Sequence, residues 1–507
     1  MGKGKVYLIG AGPGDPGLIT VKGLECLKGA DVVVYDYLVS PRLLAHAQAG
    51  AQLIYVGKQA SRHALSQGEI NGLLIREAGE GKVVARLKGG DPFIFGRGGE
   101  EAEALAEAGV PFEVIPGVTS AIAVPAYAGI PLTHRRYSSS VAFITGHEDP
   151  SKEDSSIDWA KLSTGAGTLV FLMGMSQLPR ILEILIRHGR DPETPVALIR
   201  WGTMAEQETW EGTLVGLKEE LEKREFKPPA VLVVGDVVRL REKLRWFERK
   251  PLFGKRVLVT RAREQASAFS HLLEGYGAEV LEFPTIEVLP PENWDGLDNA
   301  IKHLAGYQWL IFTSANGVDF FMKRLHHMGR DGRDLRGLRI CAIGPATAEA
   351  LREWGLRPDF VPSEYRAEAI LEGFGNMDLR GQRFLLPRAE VAREVLPEEI
   401  RRRGGEVDVV VAYRTIKAEG DARRIKSLLE EKRIHVITFT SSSTVANFTE
   451  IFEEEDWQGL LENVVIASIG PITAGEAARR GIKTDIQPHE YTIPALAEAL
   501  VDYFRKD

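Results

Sequence analysis

The sequence predicts an α/β protein built around parallel sheets, and three observations carry that reading. Near the start, an apolar run (VYLIG, Val6 to Gly10) leads through a glycine turn (GAGPGD) and a helical segment (LITVKGLECLKG) to a second apolar run ending in an acid (DVVVYD, closing at Asp36). That is the strand, turn, helix, strand order of nucleotide-binding sheets. Between residues 236 and 255 the composition changes, from AVLVVGDVV, an apolar run of the parallel-strand type, to a charged segment, RLREKLRWFERK, and then PLFGK. Beyond that point four segments recur in one order at a nearly constant spacing.

The glycine turn poses the first chemical question. A pyrophosphate cradle needs free backbone N–H groups at a helix N-terminus, and Pro13 and Pro16 each remove one. The third glycine of the dinucleotide fingerprint is Asp15 here, and a carboxylate repels phosphate. The turn therefore suits a neutral or cationic ligand, with a purely structural turn as the alternative and a nicotinamide-dependent oxidoreductase as a distant third reading.

A chain of 507 residues is too long for one core and suggests three or four units at about 150 residues each. With 44% hydrophobic and 26% charged residues it falls outside the disordered and fibrous classes, and a formal net charge of −8 excludes a globally basic nucleic-acid binder. Any anionic ligand must be held by local clusters. Only Cys26 and Cys341 occur, which argues against a disulfide framework and for a reducing cytoplasm. Both read as buried small hydrophobes. The eleven histidines lack metal-ligand spacing, His326 and His327 sitting in a polar stretch that reads as a solvated helix end, so no metal is predicted. No apolar run approaches the roughly 18 residues of a membrane span, and the start lacks a basic region before a long apolar stretch. A cytoplasmic protein without membrane or nucleic-acid partners is the expectation.

Charged helix followed by Pro and Gly is common interdomain chemistry, so the boundary is placed there: a first domain over 1–245, a linker over 246–251 and a second half over 252–507. In the second half VLVTR, ending at Arg261, returns as FLLPR at Arg388, and IFTS at Ser314 returns as TFTS at Ser441, both 127 residues later. AIGPATAEA, with Gly344, returns as SIGPITAGEA with Gly470, and PSEY at Tyr365 returns as PHEY at Tyr491, both 126 later. Two α/β units of similar build, each with a parallel sheet covered by helices on both faces, follow from this repeat. FTS and IGP stand at strand ends, where open α/β sheets bind ligands. Their hydroxyls also read as plain helix N-caps.

On VLVTR, FTSANGV, AIGPATAEAL, AYRT, FTSSSTV and SIGPITA, taken in that order, residues 252 to 507 resemble uroporphyrinogen-III synthase. The resemblance implies closure of a hydroxymethyl tetrapyrrole with inversion of the last pyrrole, without cofactor or metal. It implies two doubly wound lobes, about 252–285 with 416–507 and 286–415, joined by the crossings EFPTIEV and VVVAYRT. Ring closure expels hydroxide, which needs a proton donor. Tyr413 matches the family tyrosine proposed for this, and a phenol with a pKa near 10 stays protonated at neutral pH. A strand tyrosine also reads as packing. Thr347 and Thr473, and with them Ser314 and Ser441, match substrate contacts, where helix starts suit the acetate and propionate groups of the substrate.

GAGPGDPGLIT, YDYLVS, VGK, RLKGGDPFIFGRGGEE, PGVTSA, AGIPLTHR, FITGHE, FLMGM and RWGT run in order along residues 1 to 245 and resemble uroporphyrinogen-III C-methyltransferase, of the tetrapyrrole methylase fold with two α/β subdomains. The resemblance implies S-adenosyl-L-methionine as donor, with S-adenosyl-L-homocysteine as product. Its sulfonium is cationic and it has no phosphate, which agrees with the chemistry of the turn. Carried over by motif, the donor contacts are Pro13, Gly89, Gly90, Asp91, Ile94, Thr119, Ser120, Met173 and Gly202; relatives often have Ala at the place of Ser120. Asp91 is assigned to the donor's amino group or ribose hydroxyls, and Met173 to a soft apolar wall. Asp36 and Lys58 match the proposed base and acid, with a helix cap and a substrate carboxylate partner as their plainer readings. Arg97 is assigned to a substrate carboxylate, which a guanidinium grips bidentately. Lys88, Arg135 and Arg136 read equally as solvated surface.

The two resemblances fit one pathway, in which the second half makes uroporphyrinogen III and the first methylates it twice to precorrin-2, toward sirohaem and cobalamin. The first also implies a homodimer through the methylase half. The alternative is a methylase of a later corrin intermediate, with a second half that binds tetrapyrroles without catalysis.

Overall fold

A computed structural model describes residues 4–57, 65–146, 156–223, 225–261, 263–362, 367–375, 377–392, 394–417, 422–452 and 457–505. The chain divides into two compact units, Met1–Arg256 with Leu273–Glu279 and Val501–Asp507, and Val257–Leu272 with Val280–Leu500.

The first unit opens with β1 (Lys5–Gly10), β2 (Val32–Tyr35), β3 (Gln52–Tyr55), β4 (Val83–Lys88) and β5 (Phe112–Ile115). They form one sheet in the order β3-β2-β4-β1-β5, with neighbouring strands parallel. Their carboxyl ends therefore share one edge. Val32 and Val34 pack into the core on one face with Leu74 and Leu105, while Val33 packs on the other with Ile9 and Leu87. Burial on both faces is why these strands read as continuous apolar runs.

A second sheet follows, made of β6 (Val141–Thr145), β7 (Thr168–Leu172), β8 (Pro195–Arg200), β9 (Glu208–Thr213) and β10 (Ala230–Val234) in the order β6-β7-β10-β8-β9. β6 and β7 are parallel, whereas β10 runs antiparallel to β7 and β8, and β9 to β8. The run AVLVV, read as a parallel-type strand, is thus an antiparallel central one. Leu232 and Val234 are buried on one face and Val231 and Val233 on the other, so its uniform hydrophobicity reports two-sided burial and not strand direction.

The charged segment after it, where the sequence places the interdomain boundary, is packed against the rest of its unit. Its helix spans only Arg241–Leu244, Arg241 and Phe247 are buried, and Trp246 Nε1 donates to the Ala126 carbonyl at 3.0 Å. An added Cβ on Gly129 would lie 2.4 Å from the Leu244 carbonyl carbon, which shows how closely the segment packs within the first unit.

Later strands are β11 (Arg256–Val259), β12 (Glu279–Glu282), β13 (Ile286–Leu289), β14 (Trp309–Phe312), β15 (Arg339–Ala342), β16 (Arg383–Ala389), β17 (Glu406–Lys417), β18 (Val436–Phe439) and β19 (Val465–Ser468). One sheet has the order β12-β11-β18-β19 and another β13-β17-β16-β14-β15. β13 pairs antiparallel with β17 from Ile286–Lys417 to Leu289–Arg414, so the two crossing segments run side by side. The repeat is visible in single hydrogen bonds. Asp359 Oδ2 accepts from the Ile340 N–H at 2.7 Å, and Asp485 Oδ2, 126 residues on, accepts from Ile466 N–H at 3.0 Å. The isolated bridges Cys341–Phe360 and Ala467–Ile486 keep the same offset.

Candidate functional site

At the carboxyl edge of the first sheet, the turns after β1, β4 and β5 are fastened to one another through backbone. Gly12 and Gly90 exchange two hydrogen bonds, of 3.2 and 2.7 Å, and Ala11 N–H donates to the Lys88 carbonyl at 2.8 Å. A Cβ on Gly117 would lie 2.4 Å from the Gly90 oxygen and 2.6 Å from Gly10 Cα, so only glycine permits this approach. Asp91 completes the fastening. Its Oδ1 accepts from Phe93 and Ile94 N–H at 2.8 and 3.1 Å, and its Oδ2 from Gly117 N–H at 2.9 Å. Both oxygens are thus engaged by backbone, and Asp91 builds the loop assigned to the donor besides any contact it makes with it.

Asp15 behaves similarly. Its Oδ1 accepts from Gly17 N–H at 2.8 Å and its Oδ2 from Tyr127 Oη at 2.6 Å. Both oxygens thus hold the turn itself, and the carboxylate keeps the negative charge that disfavours a phosphate there. What the turn offers a ligand is a backbone without N–H at Pro13 and Pro16.

Other assigned residues converge here. Gly89 lies against Leu38, and Gly90, with φ +70°, backs onto Thr119 and Ser120, where an added Cβ would meet Thr119 Cα at 3.6 Å. Thr119 caps the helix Ser120–Tyr127, its Oγ1 accepting from Ala121 N–H at 3.3 Å. Gly202 is pressed on that helix, since its Cβ would sit 2.4 Å from Val124 Cγ1, and Trp201 meets the Tyr37 ring edge-on at 6.2 Å. Tyr37, Leu38, Phe93, Ile94 and Phe95 are exposed apolar side chains on the loops leaving β2 and β4, as expected beside an organic ligand. Met173 stands at the end of β7 with φ 54° and its side chain half exposed.

Asp36 directly follows β2, its Oδ1 accepting from Leu38 N–H and its Oδ2 from Arg86, at 3.2 and 3.3 Å. Lys58 lies outside the described residues, as does Tyr365. Lys88, which could have been solvated, is buried and donates to Glu101 at 2.7 Å, whereas Arg135 and Arg136 are exposed. Burial, and then Arg86, lowers the pKa of the Lys88 ammonium. Arg97 already grips a carboxylate bidentately, that of Glu100 at 2.6 and 2.8 Å, so a substrate acid must compete with it.

In the second unit the structure joins two assigned residues. Tyr413, buried on β17, places its Oη 3.0 Å from Ser314 Oγ and stacks on Phe320. Ser314 caps the helix Ala315–His327 by accepting from Gly317 N–H. Burial pushes the Tyr413 phenol above its usual pKa, partly offset by the serine hydrogen bond. Ser441 caps Ser442–Ile451 in the same way, but its hydroxyl meets Ser443 at 2.9 Å. Thr347 and Thr473 occupy matching places in the first turns of Pro345–Glu353 and Pro471–Arg479, both buried, and both helices are capped by an extended glycine, Gly344 and Gly470. Sequence reasoning missed Tyr127, Glu101 and Glu248; a Trp-Phe pair inside a charged segment was the available signal for the last.

A family model described as uroporphyrinogen-III synthase HemD matches residues 267–498, and one described as tetrapyrrole (corrin/porphyrin) methylases matches 5–218. The chain is 39% identical over 502 residues to "Porphyrin biosynthesis protein HemD" of Ruminiclostridium josui, covering 99% of this chain and 98% of that protein. It is 42% identical over 349 residues to uroporphyrinogen-III C-methyltransferase of Bacillus subtilis (strain 168), 69% of this chain and 71% of that one. The S-adenosyl-L-methionine-dependent uroporphyrinogen III methyltransferase of Methanosarcina barkeri (strain Fusaro / DSM 804) is 54% identical over 239 residues, 47% of this chain and 94% of that protein. With two family models in tandem and a relative matched along nearly its whole length, this chain belongs to the porphyrin-biosynthesis family that joins a tetrapyrrole methylase to a uroporphyrinogen-III synthase in one polypeptide.

Proposed function

We propose that this protein closes hydroxymethylbilane to uroporphyrinogen III in its second half and methylates that product twice, to precorrin-2, in its first. The observation that carries the reading is the full-length similarity to a porphyrin-biosynthesis relative across both halves. The fastened glycine turns suit the donor, because their proline-interrupted backbone lacks the N–H array a phosphate would need while glycines leave room for close approach. S-Adenosyl-L-methionine supplies an electrophilic methyl group on its sulfonium. Pro13, Gly89, Gly90, Ile94, Thr119, Ser120, Met173 and Gly202 would hold it, with Asp91 keeping two of the turns together. Asp36 accepts the pyrrole proton, its carboxylate oriented by Leu38 N–H and Arg86; Lys58 acts as acid, and Arg97 exchanges Glu100 for a substrate carboxylate.

In the second half Tyr413 donates a proton to the departing hydroxyl, which leaves as water. Gly317 N–H occupies one acceptor position on Ser314 Oγ, and when Ser314 donates to Tyr413 Oη the phenolic hydrogen is free for the substrate. Ser314, Thr347, Ser441 and Thr473 bind substrate at four helix starts. The protein works in the cytoplasm as a homodimer through the methylase half, and needs no metal. The test is incubation of the whole protein with hydroxymethylbilane and labelled donor, followed by mass spectrometry and isomer analysis. Two methyl groups on the type III ring are expected. An unmethylated type III ring would remove the first activity, and type I product alone the second. Sedimentation and dialysis against a chelator test the dimer and the absence of metal.

A further inference from the structure

A closed circuit of hydrogen bonds links the glycine turn to the segment that reads as a connector. From Asp15, one arm runs through Oδ2 to Tyr127 Oη, at 2.6 Å. The other starts with Asp15 N–H, which donates to Thr203 Oγ1 at 3.1 Å; Thr203 N–H donates to Gln207 Oε1 at 3.0 Å, and Gln207 Nε2 to Glu248 Oε1 at 2.8 Å. Glu248 also accepts from Thr209 at 2.8 Å and from Arg241 at 2.6 Å, and Arg241 donates to the carbonyl of Ala128, next to Tyr127, at 2.8 Å. Inside the circuit, Trp246 and Phe247 meet the Tyr127 ring edge-on at 5.1 and 4.8 Å.

The circuit braces strained backbone. Trp201 and Thr203, on either side of Gly202, have φ of 47° and 71°, a left-handed conformation that costs a non-glycine residue about 1–3 kcal/mol and persists where the surroundings over-determine it. Burial works against charge on Glu248, yet the hydrogen bonds from Arg241, Gln207 and Thr209 prevail and hold its carboxyl below the usual range. A largely buried carboxylate with three donors around it is a rigid anchor.

We propose that Tyr127 and Glu248 are positioning residues for the methyl donor: they fix the Pro13 and Gly202 turns from behind, so the segment over 241–248 is a working part of the methylase. This rests on the assignment of those turns to the donor, made under the proposed function. Both are tested in the full-length protein with Tyr127→Phe, which keeps the ring, with Glu248→Gln, and with the double variant. Donor Kd by calorimetry, KM and kcat for methylation, and the rate of ring closure are read for each. Each single variant is expected to weaken donor binding about tenfold, with kcat and the tetrapyrrole KM within about twofold of wild type. The double variant is expected to lose little more than either single one, because both act on one circuit. Ultraviolet cross-linking of labelled donor to the wild type separates the two ideas. Label outside the peptides containing Pro13, Gly90 or Thr119 overturns the donor-site reading. Label within them, with wild-type Kd in the variants, overturns the positioning role alone, as does an equal loss in kcat and tetrapyrrole KM. Should Glu248→Gln fail to fold, Tyr127→Phe decides by itself.

Discussion

In the first half, the turns after β1, β4 and β5 are stitched backbone to backbone and by the Asp91 carboxylate. In the second, the four assigned hydroxyls each sit in or at the start of their own helix, and one direct contact joins Ser314 to Tyr413 on strand β17. The difference teaches how each site tolerates change. A site made of mutually fastened turns fails as a unit, whereas helix starts supply their N–H groups from backbone whatever the neighbouring side chain.

The largest effect should come from Gly117→Ala, whose Cβ has no space between two backbone segments. A destabilisation of about 3 kcal/mol is expected, with loss of methylation and retained ring closure, measured by thermal unfolding and the two activity assays. Gly475, inside the helix Pro471–Arg479, has open space around it, so Gly475→Ala should instead stabilise by about 1 kcal/mol. If both variants behaved alike, the contrast between the halves would be lost.

Next comes Asp91→Ala, which removes the acceptor of three backbone N–H groups. Methylation should fall about a hundredfold through weaker donor binding, read as donor Kd, with ring closure unchanged. Tyr413→Phe is expected to slow closure about tenfold, below the roughly hundredfold or more of a sole general acid, because holding the flexible chain in a closing geometry carries the rest. Ser314→Ala should slow closure a few-fold, and Ser441→Ala less, since Ser441 meets Ser443 where Ser314 meets Tyr413; each loses about 1 kcal/mol of helix capping. Steady-state closure rates check all three.

The smallest effect concerns acid. Lys22 and Lys5 hold the Glu113 carboxyl down at about 2 from 4.5, and its side chain is 33% exposed. A depressed carboxyl stabilises above the unfolded pKa, so its contribution is complete above about 4.5 and disappears as pH falls toward 2. Glu113→Gln should therefore lower stability slightly at pH 7 and not at pH 2, and added salt should shrink the difference, as denaturant titrations at the two pH values would register.

Much of this protein could be read before any fold was known. Strand runs, glycine turns and the duplicated segments are local signals, and the Asp359 and Asp485 bonds at one offset reproduce the repeat in space. The side of a sheet on which an apolar run is buried is local too, but its direction is not, which is why β10 proved antiparallel. The site was legible by residue type and less so by role. Asp15 and Asp91 were recognisable as acids among glycines; that their oxygens are engaged by Tyr127 and by backbone N–H depends on segments 26 to 112 residues away.

The sequence by itself determined which backbone could bend, which runs had to be buried and which ligand charges the first turn could accept, because proline, glycine and apolar side chains impose those limits residue by residue. Tertiary structure alone decided what each charged side chain does. Arg97 facing Glu100, Lys88 buried on Glu101 and Glu248 anchoring a distant turn all follow from partners brought near by folding, and a charge takes its role from whatever lies within hydrogen-bond reach.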